Sequence, residues 1–171
     1  MKQATLSPSD IVVACQLAIT PSAIFKDLSA SIGLSVGECH NAVRRLRLSS
    51  LLNPITRSPA TDILIGFITT GVPIAFPAQL GPPALGVPTA LAAPVFATGG
   101  SADEVYVWPD IDGTQTGTAL TPLFPNAAAL ARSNTPLYDL LAVTDALRLG
   151  QIRERRVAED LLRELLRPGM R

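Results

Sequence analysis

The chain has 171 residues, 47% of them hydrophobic and 16% charged, and its formal net charge at pH 7 is zero. This composition excludes a disordered chain and predicts one compact body, with some apolar surface left to meet a partner. The charge is unevenly distributed along the chain. Residues 1–60 include six basic and three acidic residues, whereas residues 61–140 include one basic and six acidic residues. Only the first sixty residues therefore have the excess of cations that phosphate binding requires.

Metal and cofactor chemistry has no support in the sequence. Cys15 and Cys39 do not have the spacing of a metal site, and one histidine cannot complete a zinc site with them. The glycine-rich stretches lack the Gly-Lys-Ser/Thr pattern of a phosphate-binding loop. Because no secretory leader is evident either, we expect a cytoplasmic protein with reduced thiols and neither metal nor cofactor.

Two helices are predicted at the start of the chain. Residues 7–10, Ser-Pro-Ser-Asp, combine a capping hydroxyl, a proline at the first helical position and an acidic third residue. They predict a helix from Pro8 to about Ala18, which ends before Thr20-Pro21. A second helix contains Phe25, Leu28 and Ile32 and ends at Gly33.

A third helix follows almost at once. Ser35 is a typical N-cap, and Glu38 stands three residues later, so its carboxylate can reach back to the cap. The predicted helix runs from Ser35 to Arg47, with Cys39, Val43 and Leu46 on its inward face.

The middle of the chain is uncharged. Asn53-Pro54 ends the preceding helix, and Ser58-Pro59 predicts the start of a fourth helix that ends at Gly71, followed by a short strand over residues 72–76. No formally charged residue occurs from Ile63 to Ala102, but six prolines interrupt this stretch. A membrane span needs about 20 unbroken apolar residues. We therefore expect an apolar interface, or a loop over the core, and no membrane partner.

The last third is predicted to hold a β-hairpin and three helices. Residues 104–108 alternate like a strand, Asp112-Gly113 is a turn signal, and residues 118–123 are the expected return strand. Helices are predicted near 127–132, from Asn134 to Gly150, and over about 152–167. We expect Trp108 and its aromatic neighbours to pack in the core rather than stack on bases.

The residues of the second and third helices match the requirements of a helix-turn-helix: a small residue in the first helix, glycine in the turn, a hydroxyl cap and apolar residues within the second helix. Ser29, Gly33 and Ser35 supply the first three. The segment from Ile24 to Leu52, IFKDLSASIGLSVGECHNAVRRLRLSSLL, resembles the winged-helix bacterial transcription regulators of the MarR-like type.

This resemblance implies a mainly α (α+β) fold, a winged helix-turn-helix with a short β-hairpin and C-terminal helices. The DNA-binding head would span residues 1–57. The apolar helix, the Pro/Gly-rich segment and the hairpin would span residues 58–125, and the C-terminal helices residues 126–171. These are either separate parts or one compact unit.

The outward residues of the third helix suit recognition of a major groove. Asn41 can pair with adenine and Arg44 with guanine, and His40 can donate or accept a hydrogen bond. Arg45 and Arg47 are expected to hold phosphates. The full predicted DNA-binding set is Ser35, Val36, Gly37, His40, Asn41, Arg44, Arg45 and Arg47. Val36 and Gly37 would allow close approach, and Ser35 would cap a helix end whose N–H groups face a phosphate.

The sequence thus predicts a transcription regulator that binds double-stranded DNA by operator occupancy as a homodimer, and not an enzyme. His40 stands apart from any nucleophile pattern, so no catalytic residue is assigned. The alternative is a protein-interaction module, such as an antitoxin-like protein that binds a partner through residues 63–102 and the C-terminal helices.

Overall fold

The computed structural model describes residues 5–96, 104–150 and 152–167, which form a mixed α+β fold. The first three helices lie close to their predicted positions. They are α1 (Pro8–Ile19), α2 (Phe25–Ile32) and α3 (Val36–Leu48). Gly33 ends α2 in the left-handed conformation, with φ of 73°, which lets a very short turn lead into α3.

The remaining elements follow in chain order. They are α4 (Thr61–Gly66), a π-helical turn (Phe67–Gly71), α5 (Val72–Ala75), β1 (Leu80–Thr89), two 3₁₀ turns (Ala90–Ala92 and Pro94–Phe96), β2 (Tyr106–Pro109), β3 (Gln115–Leu120), α6 (Ala127–Ser133), α7 (Thr135–Leu149) and α8 (Ile152–Leu166). The three C-terminal helices confirm the predicted ones to within a residue or two. Residues 97–102 of the predicted partner-binding segment lie outside the described residues.

The strand predicted over residues 72–76 is wrong, because this segment continues the preceding helix through the π-helical turn into α5. Leu64, Ile68 and Val72 are all buried, and their spacing of four residues is that of a helix face. Pro73 is compatible with this path because it stands in the first turn of α5.

The predicted hairpin is also wrong. β2 and β3 are parallel to each other, and each pairs antiparallel with β1, a strand that the sequence reading did not identify. The loop between them crosses β1, and the Thr114 amide donates to the Gly86 carbonyl at 3.0 Å. Gly113 lies directly against Gly86, where a Cβ on either residue would overlap backbone. The Asp112-Gly113 turn therefore carries the chain across a strand instead of reversing it.

A buried polar network joins α7 to this sheet. The Asp145 carboxylate accepts hydrogen bonds from Trp108 Nε1 at 2.6 Å and Thr89 Oγ1 at 2.9 Å, and it pairs with Arg148 at 2.6 Å. Burial raises the pKa of Asp145, and Arg148 and the hydrogen bonds oppose that rise. Arg148 also donates to the carbonyls of Phe76 and Thr121. Trp108 is thus a core residue, as predicted.

The head and the C-terminal helices share one continuous core. Helix α1 packs on α7, and Asn134, the N-cap of α7, donates from Nδ2 to Gln16 Oε1 of α1 at 2.8 Å. On α8 the buried positions are Ala158, Leu162 and Leu166. Within residues 5–96, 104–150 and 152–167, no helix has both the length and the apolarity needed to cross a bilayer.

Replacing Asp145 with alanine is expected to lower the free energy of unfolding by about 3–5 kcal/mol, because Arg148 would remain buried without its counter-charge. Urea unfolding followed by circular dichroism measures the loss. Asp139→Ala, on the same helix but only partly buried, is the matched control and should cost less than about 1 kcal/mol. Equal losses of unfolding free energy in Asp145→Ala and Asp139→Ala would contradict the role of Asp145 as the counter-charge of Arg148.

Candidate nucleic-acid interface

The start of α3 is fixed by a reciprocal cap. The Glu38 amide donates to Ser35 Oγ at 3.2 Å, and the Ser35 amide donates to Glu38 Oε2 at 2.8 Å. The Ser35 hydroxyl also donates to Glu38 Oε2 at 2.6 Å, and these bonds lower the pKa of Glu38. The predicted capping box is therefore confirmed.

The two faces of α3 divide as the sequence periodicity indicates. Cys39, Ala42, Val43 and Leu46 are buried in the core. Six of the predicted site residues are exposed, namely Ser35, Val36, Gly37, His40, Asn41 and Arg44, while Arg45 and Arg47 are partly buried. The exposed side chains share one side of the helix because they recur at helical spacing.

Arg44, Arg47, His40 and Asn41 meet around a shallow depression of about 390 Å³ on the surface of α3. A second depression lies between the end of α3 and the loop that follows it, and Arg47 lines both. The Arg47 Nε atom is buried without a hydrogen-bond partner. Arg47 thus stands where the helix surface meets the loop.

The loop after α3 is a small hairpin that the sequence reading missed. Leu52 and Pro59 form an antiparallel bridge, and the Asn53 amide donates to the Ser58 carbonyl at 2.8 Å. The Asn53 side chain accepts from the amides of Ile55 and Thr56 and so closes the turn. Asn53-Pro54 and Ser58-Pro59 are compatible with a helix end and a helix start, but such pairs also close tight turns, as they do here.

The hairpin is fastened to the start of α2. Arg57 donates to the Ala23 carbonyl at 3.3 Å, and its guanidinium lies over the Phe25 ring, 4.8 Å from the centroid. The same ring stacks on His40, with centroids 3.6 Å apart. Phe25 therefore links α2 to both the hairpin and α3, and it restrains the imidazole plane of His40.

Arg45 differs from its neighbours because it faces a buried acid. Its Nε and Nη2 atoms donate to the two carboxylate oxygens of Asp10 at 2.7 and 2.6 Å. Asp10 is fully buried, while 25% of the Arg45 side chain is exposed. Asp10 also accepts from the Ser7 amide at the start of α1. The structure thus places the predicted phosphate ligand Arg45 in an intramolecular ion pair.

The two cysteines lie in the core and do not contribute to this surface. Burial raises the pKa of Cys15 to about 12, and it also raises the pKa of Cys39. A thiol with a raised pKa is a poor nucleophile. In the part of the chain that the structure describes, no cluster of three or more His, Cys, Asp or Glu side chains is arranged to hold a metal ion.

Comparison with known proteins gave no match: no protein-family model, curated protein or solved structure is similar to this chain.

Replacing Ser35 with alanine is expected to lower the free energy of unfolding by about 1 kcal/mol, because the N-terminus of α3 loses its side-chain acceptor. Thermal and urea unfolding measure the effect. Ser22→Ala, at an exposed serine in the α1–α2 turn, is the control and should change stability by less than about 0.5 kcal/mol. A Ser35 variant as stable as this control would show that the cap contributes nothing.

Proposed function

We propose that the chain is a transcription regulator that binds double-stranded DNA through the exposed face of α3. The observation that carries this proposal is the depression on α3, where an amide, an imidazole and two guanidinium groups converge. Amide and guanidinium groups are the side chains that make paired hydrogen bonds to adenine and guanine in a major groove. The α2–turn–α3 geometry supports a helix-turn-helix, in which the second helix enters that groove.

The division of roles follows from the contacts. Asn41 and Arg44 are exposed and available to base edges, whereas Arg47, between the helix and the hairpin, is placed to hold a phosphate. The hairpin over residues 51–60 directly follows α3 in the chain, which supports its use as the wing. We therefore assign the winged element to residues 51–60 and not to residues 104–123.

A homodimer fits the electrostatics. Arg44 and Arg47 are the cations that line the depression, while Arg45 and Arg57 are engaged within the chain. A single copy would neutralise few phosphates, and two half-sites double that number. Occupancy of an operator by such a dimer would block or assist the polymerase.

The first test is binding to duplex DNA from upstream of the protein's own gene, measured by fluorescence polarisation at several salt concentrations. We expect sequence-selective binding that weakens with salt. With Arg47 as the cation assigned to a phosphate in each copy, the slope of log K against log salt should be about −1 per copy and about −2 for a dimer. Light scattering of the complex gives the number of copies. An absence of binding at low salt would sink the proposal.

The second test separates the proposed base contact of Arg44 from the proposed phosphate contact of Arg47. Arg44→Ala should cost about 1–3 kcal/mol of binding free energy at one base position and relax selectivity there, whereas Arg47→Ala should weaken all sequences alike and reduce the salt slope by about one. Affinities for a set of single-base variants of the bound duplex measure both effects. If the two variants lost affinity in the same pattern, this division of roles would be wrong.

A second candidate function, an antitoxin-like module that binds a protein partner, is favoured by a different observation. The uncharged segment exposes several large apolar side chains, namely Ile63, Ile74, Leu80 and Leu85. Contiguous exposed apolar patches mark contact surfaces, and this candidate function requires these four side chains to belong to one such patch. The two functions can coexist in one chain, since a regulator that masks a partner can also bind its own operator.

A further inference from the structure

At the contact between α1 and α3, one buried carboxylate accepts three hydrogen bonds. Both oxygens of Asp10 bind Arg45, and one of them also accepts the Ser7 amide at 2.9 Å. A bidentate guanidinium–carboxylate pair fixes direction as well as distance. Since Asp10 is fully buried within α1, the pair holds the last turns of α3 in one rotational setting against the body of the protein.

The same pair has an electrostatic consequence. Arg45 follows Arg44 in the helix that faces the proposed DNA, at the edge of its exposed face, and a quarter of its side chain reaches solvent. A free arginine at this place would bind phosphate on any sequence, because phosphate contacts carry no base information. Because the Arg45 guanidinium binds Asp10, it is not free to bind phosphate.

We propose that Asp10 is a specificity-determining residue for DNA binding: it orients the recognition helix and withholds Arg45 from phosphate. This inference rests on the proposed function, and it identifies a residue on α1, remote from base edges, as a control on selectivity. Orientation matters because recognition side chains have to be held to within about 0.5 Å and 10–20° of their productive geometry. The electrostatic part matters because each additional phosphate contact strengthens non-specific binding.

The test compares wild type with Asp10→Asn, which keeps an acceptor for the Ser7 amide but removes the charge that engages Arg45. Two probes are used: a duplex that the wild-type protein selects from a random pool, and a scrambled duplex of the same composition. We expect Asp10→Asn to bind the scrambled duplex more tightly, with a salt slope steeper by about one. The ratio of selected to scrambled affinity should fall about tenfold.

A double variant separates the two parts of the proposal. In Asp10→Asn/Arg45→Met no arginine is present at position 45 to bind phosphate, so the affinity for the scrambled duplex and the salt slope should return to the wild-type values. The selectivity ratio should stay low, because the ion pair that orients α3 is still absent. Leu162→Ala, in the buried face of α8, is the control for loss of stability alone. All measurements are made at a temperature at which circular dichroism shows each variant to be folded.

The outcomes are distinct. An unchanged salt slope and selectivity ratio in Asp10→Asn, or an equal loss of selectivity in Leu162→Ala, would overturn the role of Asp10 while the proposed function stood. Wild-type protein that selects no duplex and binds DNA without salt dependence would overturn the proposed function and this inference together.

Discussion

The buried carboxylate of Asp145 is the interaction on which the arrangement of the chain depends. It binds β1 through Thr89 and β2 through Trp108, and through Arg148 it reaches the carbonyls of the segments that flank the sheet. An isolated charge in this position would be very unfavourable, so the pair is stable only because each partner is fully bonded. The network therefore adds to the docking of the sheet against α7 a directional restraint that apolar packing lacks.

From α7 a series of polar contacts leads outward to the candidate interface. Asn134 at the start of α7 bonds Gln16 of α1, and Asp10 of α1 bonds Arg45 of α3. Each contact joins two helices whose apolar faces already pack together, and each adds the directional restraint that apolar packing lacks. The exposed face of α3 is thus positioned by the whole body, although its residues come from one short segment.

Most of the arginine side chains that the structure describes bind acceptors within the chain. Arg45, Arg57, Arg148 and Arg155 all bind acceptors within the chain. The number of arginines in the sequence therefore overstates the positive surface available to nucleic acid. In the proposed DNA complex, a surface with few free cations would gain a larger share of its binding free energy from base contacts, which would favour selectivity over tight non-specific binding.

The sequence by itself determined the elements that local chemistry specifies: the caps of α1, α3 and α7, the glycine that ends α2, and the inward and outward faces of α3. These follow from bonds within a few residues. The tertiary structure alone decided that residues 72–75 are helical, that β2 and β3 both pair with β1, and that Arg45 pairs with Asp10. Each of these depends on residues far apart in the chain, such as Asp10 and Arg45, 35 positions apart, and no local propensity encodes such a pairing.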